Sequence, residues 1–221
     1  MTDLRISPSN NKLGKIASFS LPSITSCPGA TNECVSSCYA INIENYPGAK
    51  NAYALNLQAI KDKNFVFSLS EEITRLTTKK TPIKTFRWHV SGDIINLQYL
   101  MKMEQIMKKF STLTFYAYTR TWSLENWAPH LDKIKKSCPN FTMIASLDDD
   151  HVDNDTLPGP EWRVAYFGSK TKDELATLTG KQTIVCPNQA NTTKTILCDT
   201  CQYCFNPKLA NTTKSVYFIK H

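Results

Sequence analysis

No stretch of the 221-residue chain is apolar for long enough to cross a bilayer. The opening residues, Met1-Thr2-Asp3-Leu4-Arg5-Ile6, lack the charged-then-apolar pattern of a secretory signal. A cytosolic, reducing compartment is therefore expected, with no membrane partner and no disulfide framework for the eight cysteines. In that compartment the Asn-x-Thr sequons at Asn140, Asn154, Asn191 and Asn211 carry no glycan. No linker and no domain-length repeat divides the chain. The run Ala190–Lys194 recurs at Ala210–Lys214, which two similar polar turns explain. Long blocks of one charge are also missing. The 26 Lys and Arg against 19 Asp and Glu leave a net charge of +7, but the basic residues are scattered, with doublets only at Lys79-Lys80, Lys108-Lys109 and Lys135-Lys136. A solvated basic surface accounts for that better than a nucleic-acid groove. With 41% hydrophobic and 20% charged residues, the class is globular, and the length suffices for a full α/β core.

Cysteine is what the chain does have, in two groups. Cys27, Cys34 and Cys38 fall within the run CPGATNECVSSCYA, which reads as a loop from its Pro28-Gly29 start and its Asn32 and Ser36-Ser37. Thiolates are soft ligands for zinc or iron–sulfur clusters, and three of them leave one coordination position open, as a catalytic metal requires. Cys186, Cys198, Cys201 and Cys204 supply four ligands, a closed set that fits tetrahedral zinc or a 4Fe–4S cluster. The overlapping C-x2-C-x2-C run is more typical of iron–sulfur ligation. Cys138 stands apart and reads as a packing thiol.

The pattern along the chain alternates strand and helix. Strands are expected at 15–21, 85–90, 113–118, 141–146, 163–167 and 182–185, and helices near 48–61, 71–77 (capped by Ser70), 97–110 and 172–178 (closed by Gly180). Another helix, capped by Ser123, is expected to carry Leu124, Trp127, Ala128, Leu131 and Ile134 and to be kinked or interrupted at Pro129. Repeated βα units imply a parallel sheet, either a partial (β/α)6-type barrel or an open sheet, with residues 1–185 as the repeat domain. Residues 186–221 form a C-terminal cysteine-cluster segment packed on it. Such folds place their sites at the C-terminal ends of strands. The polar residues found there, Ser91, Gly92, Asp93, Thr119, Arg120, Ser146 and Asp148, are the candidate cofactor-binding set, and they point to a small-molecule ligand. His89 is expected on the same strand face as Arg87, as a satisfied core histidine. The run Asp148 to Asp155 lacks the Gly and terminal Glu of an EF-hand and reads as a solvated loop.

The ordered motifs CPGATNECVSSCYA, FRWHVSGDIINLQYL, FYAYTRTW, ASLD and CDTCQYC, spread from about Ser20 to His221, resemble the phage-encoded "gene product 88" domain family. That resemblance implies a bacteriophage source and the cytoplasm of an infected host. A more distant similarity is to radical S-adenosylmethionine enzymes, which carry three cysteines after the first strand of a partial barrel. In them a Gly-Gly-Glu-Pro type motif ends the second strand, where this chain has Ser91-Gly92-Asp93. Their usual C-x3-C-x2-C becomes C-x6-C-x3-C here. The similarity implies one or two 4Fe–4S clusters and S-adenosylmethionine as cofactors. Two other readings stand beside an iron–sulfur redox or radical enzyme: a zinc-stabilised protein binding nucleic acid or a host factor, and an electron-transfer protein.

Overall fold

A computed structural model describes residues 2–190, 195–206 and 214–219. The recurrent turns at 190–194 and 210–214, with the sequons at Asn191 and Asn211, lie for the most part outside the described residues. The chain forms one seven-stranded sheet, all parallel, in the order β1-β2-β3-β4-β5-β7-β6. The strands are β1 (Ala17–Phe19), β2 (Thr85–Trp88), β3 (Thr114–Thr119), β4 (Phe141–Leu147), β5 (Arg163–Phe167), β6 (Gln182–Val185) and β7 (Lys214–Phe218). The sheet is open, with β1 and β6 as its edges. β7 is a strand that the sequence pattern does not announce, and it slots between β5 and β6.

Register decides what each face carries. Phe86, Trp88, Phe115, Ala117, Met143, Ala145, Val164 and Tyr166 point to one side. The helices that cover that side are α3 (Pro47–Ala59), α4 (Phe65–Thr77), α5 (Leu97–Lys109), α6 (Ala128–Ser137), α7 (Asp149–Asp153) and α8 (Lys172–Thr179). Two short helices, α1 (Asn32–Ser36) and α2 (Tyr39–Glu44), lie in the first cysteine segment, and α9 (Pro187–Ala190) and α10 (Cys198–Cys201) in the second. Phe19, Phe65, Phe86, Trp88, Tyr99 and Phe115 form a chain of edge-on and stacked rings at the centre of the helix-covered core. Each such pair adds about 0.5–1.5 kcal/mol beyond area burial. Because the crossovers stay on one face, the other face, with Arg87, Tyr116, Tyr118, Ile144 and Arg163, is left to be roofed by the chain's two cysteine segments and residues near its N-terminus.

Several local expectations change. Ser70 is not a cap: α4 begins at Phe65, and Ser70 is buried inside it. The apolar stripe Phe65, Leu69, Ile73, Leu76 spans that earlier start. Ser123 caps no α-helix but ends a 3-10 turn, and the helix expected after it starts only at Ala128, so Pro129 neither kinks nor interrupts it but sits in the first turn of α6, where its missing N–H costs nothing. The run from Asp148 is not a solvated loop, since it folds into α7. The first cysteine run holds two short helices rather than loop alone. Cys138 is a packing thiol, buried at the end of α6 beside Ser137 and Glu104.

Candidate functional site

The seven clustered cysteines all line one cavity of about 1540 Å³ on the face of the sheet opposite the helices. This exceeds the usual small-ligand pocket of roughly 300–1,000 Å³. Ser91, Gly92, Asp93, Thr119, Arg120 and Ser146 line it too, at the C-terminal ends of β2, β3 and β4. Asp148 does not reach the cavity wall; it is wholly buried behind it.

The first cysteine segment is tied down at three points. Ser26 accepts the amide of Asp93 on its carbonyl (3.1 Å), so the segment hangs on the β2 turn. Gly29 lies against the Arg120 backbone, where a Cβ would come within 2.6 Å of the carbonyl oxygen. Gly92, at φ +81°, faces Ser26 and Leu21 with no room for a Cβ. The third tie is a pair of helix caps set back to back. Thr31 caps α1 by accepting the Cys34 amide (3.0 Å), and Asp148 caps α7 by accepting the His151 amide (3.2 Å). The Thr31 hydroxyl donates to Asp148. Asp148 also accepts from Arg120 (2.5 Å) and His151 Nδ1 (2.6 Å), and Asp150 accepts the Glu33 amide (2.9 Å). Burial alone would raise the Asp148 carboxyl, but His151, Arg120 and Thr31 hold it down at about 2.

Asp93 is likewise engaged by the protein. It is 4% exposed and accepts the amides of Ile94 (2.7 Å) and Arg120 (2.8 Å). Burial pushes its carboxyl up despite those bonds. The cap of α5 is Asn96, which accepts the Tyr99 amide at 2.8 Å. His89 differs from its expectation too. Its φ of +60° turns it off the strand alternation, and its Nε2 meets the Tyr99 hydroxyl of α5 at 2.9 Å. Its Nδ1 has no partner among the described residues, so this histidine is only half satisfied.

The second segment is held by residues that sequence reasoning passed over. Arg163, on the inner face of β5, donates to the carbonyls of Tyr203 (2.8 Å), Cys204 (2.7 Å) and Asn206 (3.1 Å). The Cys198 amide donates to the Lys12 carbonyl (3.0 Å), and the Cys186 amide to Tyr217 (2.8 Å). Phe205 stacks on Tyr116 with ring centroids 4.5 Å apart. Strand alternation in FYAYT and RVAYF was the one available signal, since it puts Tyr116, Tyr118 and Arg163 on a face without helix contacts.

Within each group the thiols feel one another. A thiolate at Cys34 or Cys38 would raise the Cys27 thiol further, and one at Cys186, Cys198 or Cys201 the Cys204 thiol. Burial, with Asp93 adding to it, pushes the Cys27 thiol up to about 12; burial likewise lifts Cys204 to about 12 and raises Cys34 and Cys198. These four are neutral thiols at pH 7, so any metal must displace protons to bind. Among the described residues no group of three or more His, Cys, Asp or Glu side chains is set to hold a metal ion. The soft, multi-thiol donor sets nonetheless match iron–sulfur ligation in chemistry and number.

The profile of the family described as "Gene product 88" matches residues 3–207. The "Gene 88 protein" of Mycobacterium phage D29 is 30% identical over 224 residues, covering 93% of this chain and 90% of the relative. No solved structure gives a significant match.

Proposed function

The chain belongs to the Gene product 88 family, and we propose that it is an iron–sulfur protein of bacteriophage origin whose two cysteine groups hold clusters over one shared cavity. Cys27, Cys34 and Cys38 would hold a cluster with one iron free of protein thiolate, and Cys186, Cys198, Cys201 and Cys204 a fully ligated one. The observation that carries this reading is the convergence of cysteines some 150 residues apart on a single cavity. When bound, such clusters supply one-electron chemistry or a Lewis-acidic iron.

The protein's own residues set the conditions. The paired caps Thr31 and Asp148 fix the segment bearing Cys34, and Arg120 reaches both Asp148 and the Cys34 thiol, lowering that thiol's pKa against burial. Arg163 fixes the segment bearing Cys204. S-adenosylmethionine fits less well. Both oxygens of Asp93 are taken by amides, and burial discourages its charge, so it does not offer the anionic contact that the cofactor's ammonium group requires.

The test is purification of the full chain without oxygen, with iron, acid-labile sulfide and zinc measured per chain. Broad visible absorption, bleached on reduction, and iron with matching sulfide are expected. A colourless protein with stoichiometric zinc would make the cysteine groups structural zinc sites and overturn the reading.

A further inference from the structure

Five arginines occur in the chain, and four have evident partners. Arg5 pairs with Asp3, Arg75 with Glu72 and Arg120 with Asp148, while Arg163 holds three carbonyls. Arg87 differs. It rises from the middle of the inner sheet face into the cavity. Its Nε donates to the His89 carbonyl (3.1 Å), and its guanidinium lies 4.9 Å from the Tyr118 ring centroid and 5.9 Å from that of Tyr116. No carboxylate pairs with it among the described residues. Asp93 is the one acidic residue in the cavity lining, and its oxygens are already engaged.

The His89 ring lies close enough to Arg87 to feel its charge. His89 lines the same cavity and is 2% exposed. Burial, and then the Arg87 charge, lowers the His89 pKa to about 3, so the ring is neutral at pH 7. If the Tyr99 hydroxyl donates to Nε2, the ring proton sits on Nδ1, which has no partner among the described residues. The floor of the cavity thus presents a planar cationic fork that bonds the His89 carbonyl and the Tyr116 hydroxyl, with no carboxylate paired to it among the described residues. The ring faces of Tyr116 and Tyr118 flank the fork, which reduces its contact with water. The Tyr118 hydroxyl contacts the Cys204 thiol, so this floor abuts the second cysteine group.

We infer that Arg87, with His89 at its side, forms a binding site for the carboxylate or phosphate group of a small organic anion inside the cavity. A guanidinium fork matches either oxyanion with two parallel hydrogen bonds. The inference rests on the functional reading for the cavity's role and adds the class of molecule that enters it. A rival account makes Arg87 the counter-charge of the Cys198 thiolate, whose charge it also feels. The two accounts part in their response to added anion and in metal content.

The experiment uses the full chain purified without oxygen, at constant ionic strength. Melting is followed with millimolar succinate, with inorganic phosphate and with uncharged succinamide. Succinate or phosphate should raise the melting temperature by roughly 3 °C or more, with succinamide inert. The responding anion identifies the oxyanion class. Arg87→Gln should abolish the rise while leaving iron per chain unchanged. In case that variant does not fold, wild-type protein is treated with phenylglyoxal and mapped by mass spectrometry. Succinate or phosphate should then protect Arg87 and leave exposed Arg5 and Arg75 reacting as before. No rise with either anion, a rise that survives Arg87→Gln, or equal labelling of Arg87 with and without anion would overturn the site. Loss of metal from Arg87→Gln without any anion effect would establish the counter-charge role. Anion binding in a protein free of iron would sink the cluster reading alone, whereas iron without anion binding would sink this inference alone.

Discussion

Asp148 accepts hydrogen bonds from Thr31, Arg120, the His151 ring and the His151 amide, with 0% of its surface exposed. Removing it leaves the mostly buried Arg120 guanidinium without its carboxylate. Asp148→Ala is expected to cost about 3–5 kcal/mol of folding stability in urea titration, against about 1 kcal/mol for Thr31→Ala, which loses mainly a cap. The native carboxyl sits near 2, below its ordinary value of 3.8. Its contribution is therefore full above pH 3.8 and disappears as the pH falls through about 2. His89 acts in the same direction over a higher window. Its native pKa of about 3 lies below the ordinary 6.5, so the folded state loses ground as the pH drops from 6.5 toward 3. The slope is up to about 1.4 kcal/mol per pH unit. His89→Asn removes the titration with a residue that tolerates positive φ. Its melting temperature should fall less steeply than the parent's between pH 6.5 and 4; parallel curves would show that His89 is not the titrating group. Neither role was legible in the sequence. Asp148 reads equally well as ligand, cap or loop acid until its neighbours in space are known. His89 sits in an alternating run that predicts the face from which its backbone then departs.

At the scale of single elements, α1 shows how a five-residue helix is made permanent. So short a helix does not form by propensity. Its cap is locked to the cap of α7, and its Glu33 amide is taken by Asp150. Two glycines near this region separate the effects of space and conformation. Gly29 has the Arg120 carbonyl where its Cβ would go, whereas Gly48, in the first turn of α3, has open space. Gly29→Ala should displace the first cysteine segment and lower melting and metal retention together. Gly48→Ala should raise stability by about 0.4–1 kcal/mol through the unfolded chain. If both glycine variants melt like the parent, the close approach of Gly29 is not a constraint. Strands and long helices were readable from periodicity, because Phe86, Trp88 and Met103 must all face one core. The short helices were not, since tertiary caps rather than apolar spacing create them. Nor was the true start of α4: Ser70 carries an N-cap signature yet lies inside a helix that begins at Phe65.

For the whole molecule, the parallel α/β class followed from alternating strand and helix patterns, and consecutive strands β1 to β5 are neighbours as such units prefer. The place of β7 did not follow. Its sequence, KSVYF, is short and lies beyond the cysteine-rich segment, so only the sheet reveals that it separates β5 from β6. β6 pairs with β7 alone, through Gln182↔Lys214 to Val185↔Tyr217. A chain truncated after Asn206 therefore loses more than an end. It should leave β6 unpaired and the edge of β5 open, giving insoluble or protease-sensitive protein by limited proteolysis and circular dichroism. A soluble, cooperatively melting truncation would show that β1 to β5 stand alone.

That strand order also has a meaning in time. On the ribosome, β6 leaves the exit tunnel with no partner to receive it, because the only strand it pairs with is made after it. At roughly 5–20 residues per second, the stretch from Val185 to Lys214 takes about 1.5 to 6 seconds to synthesise. Cys186 waits with it, since its amide bonds to Tyr217 of β7. The first three cysteines are by then long since translated, so the first thiol group is complete in the chain before Cys186 can meet its backbone partner on the last strand of the sheet.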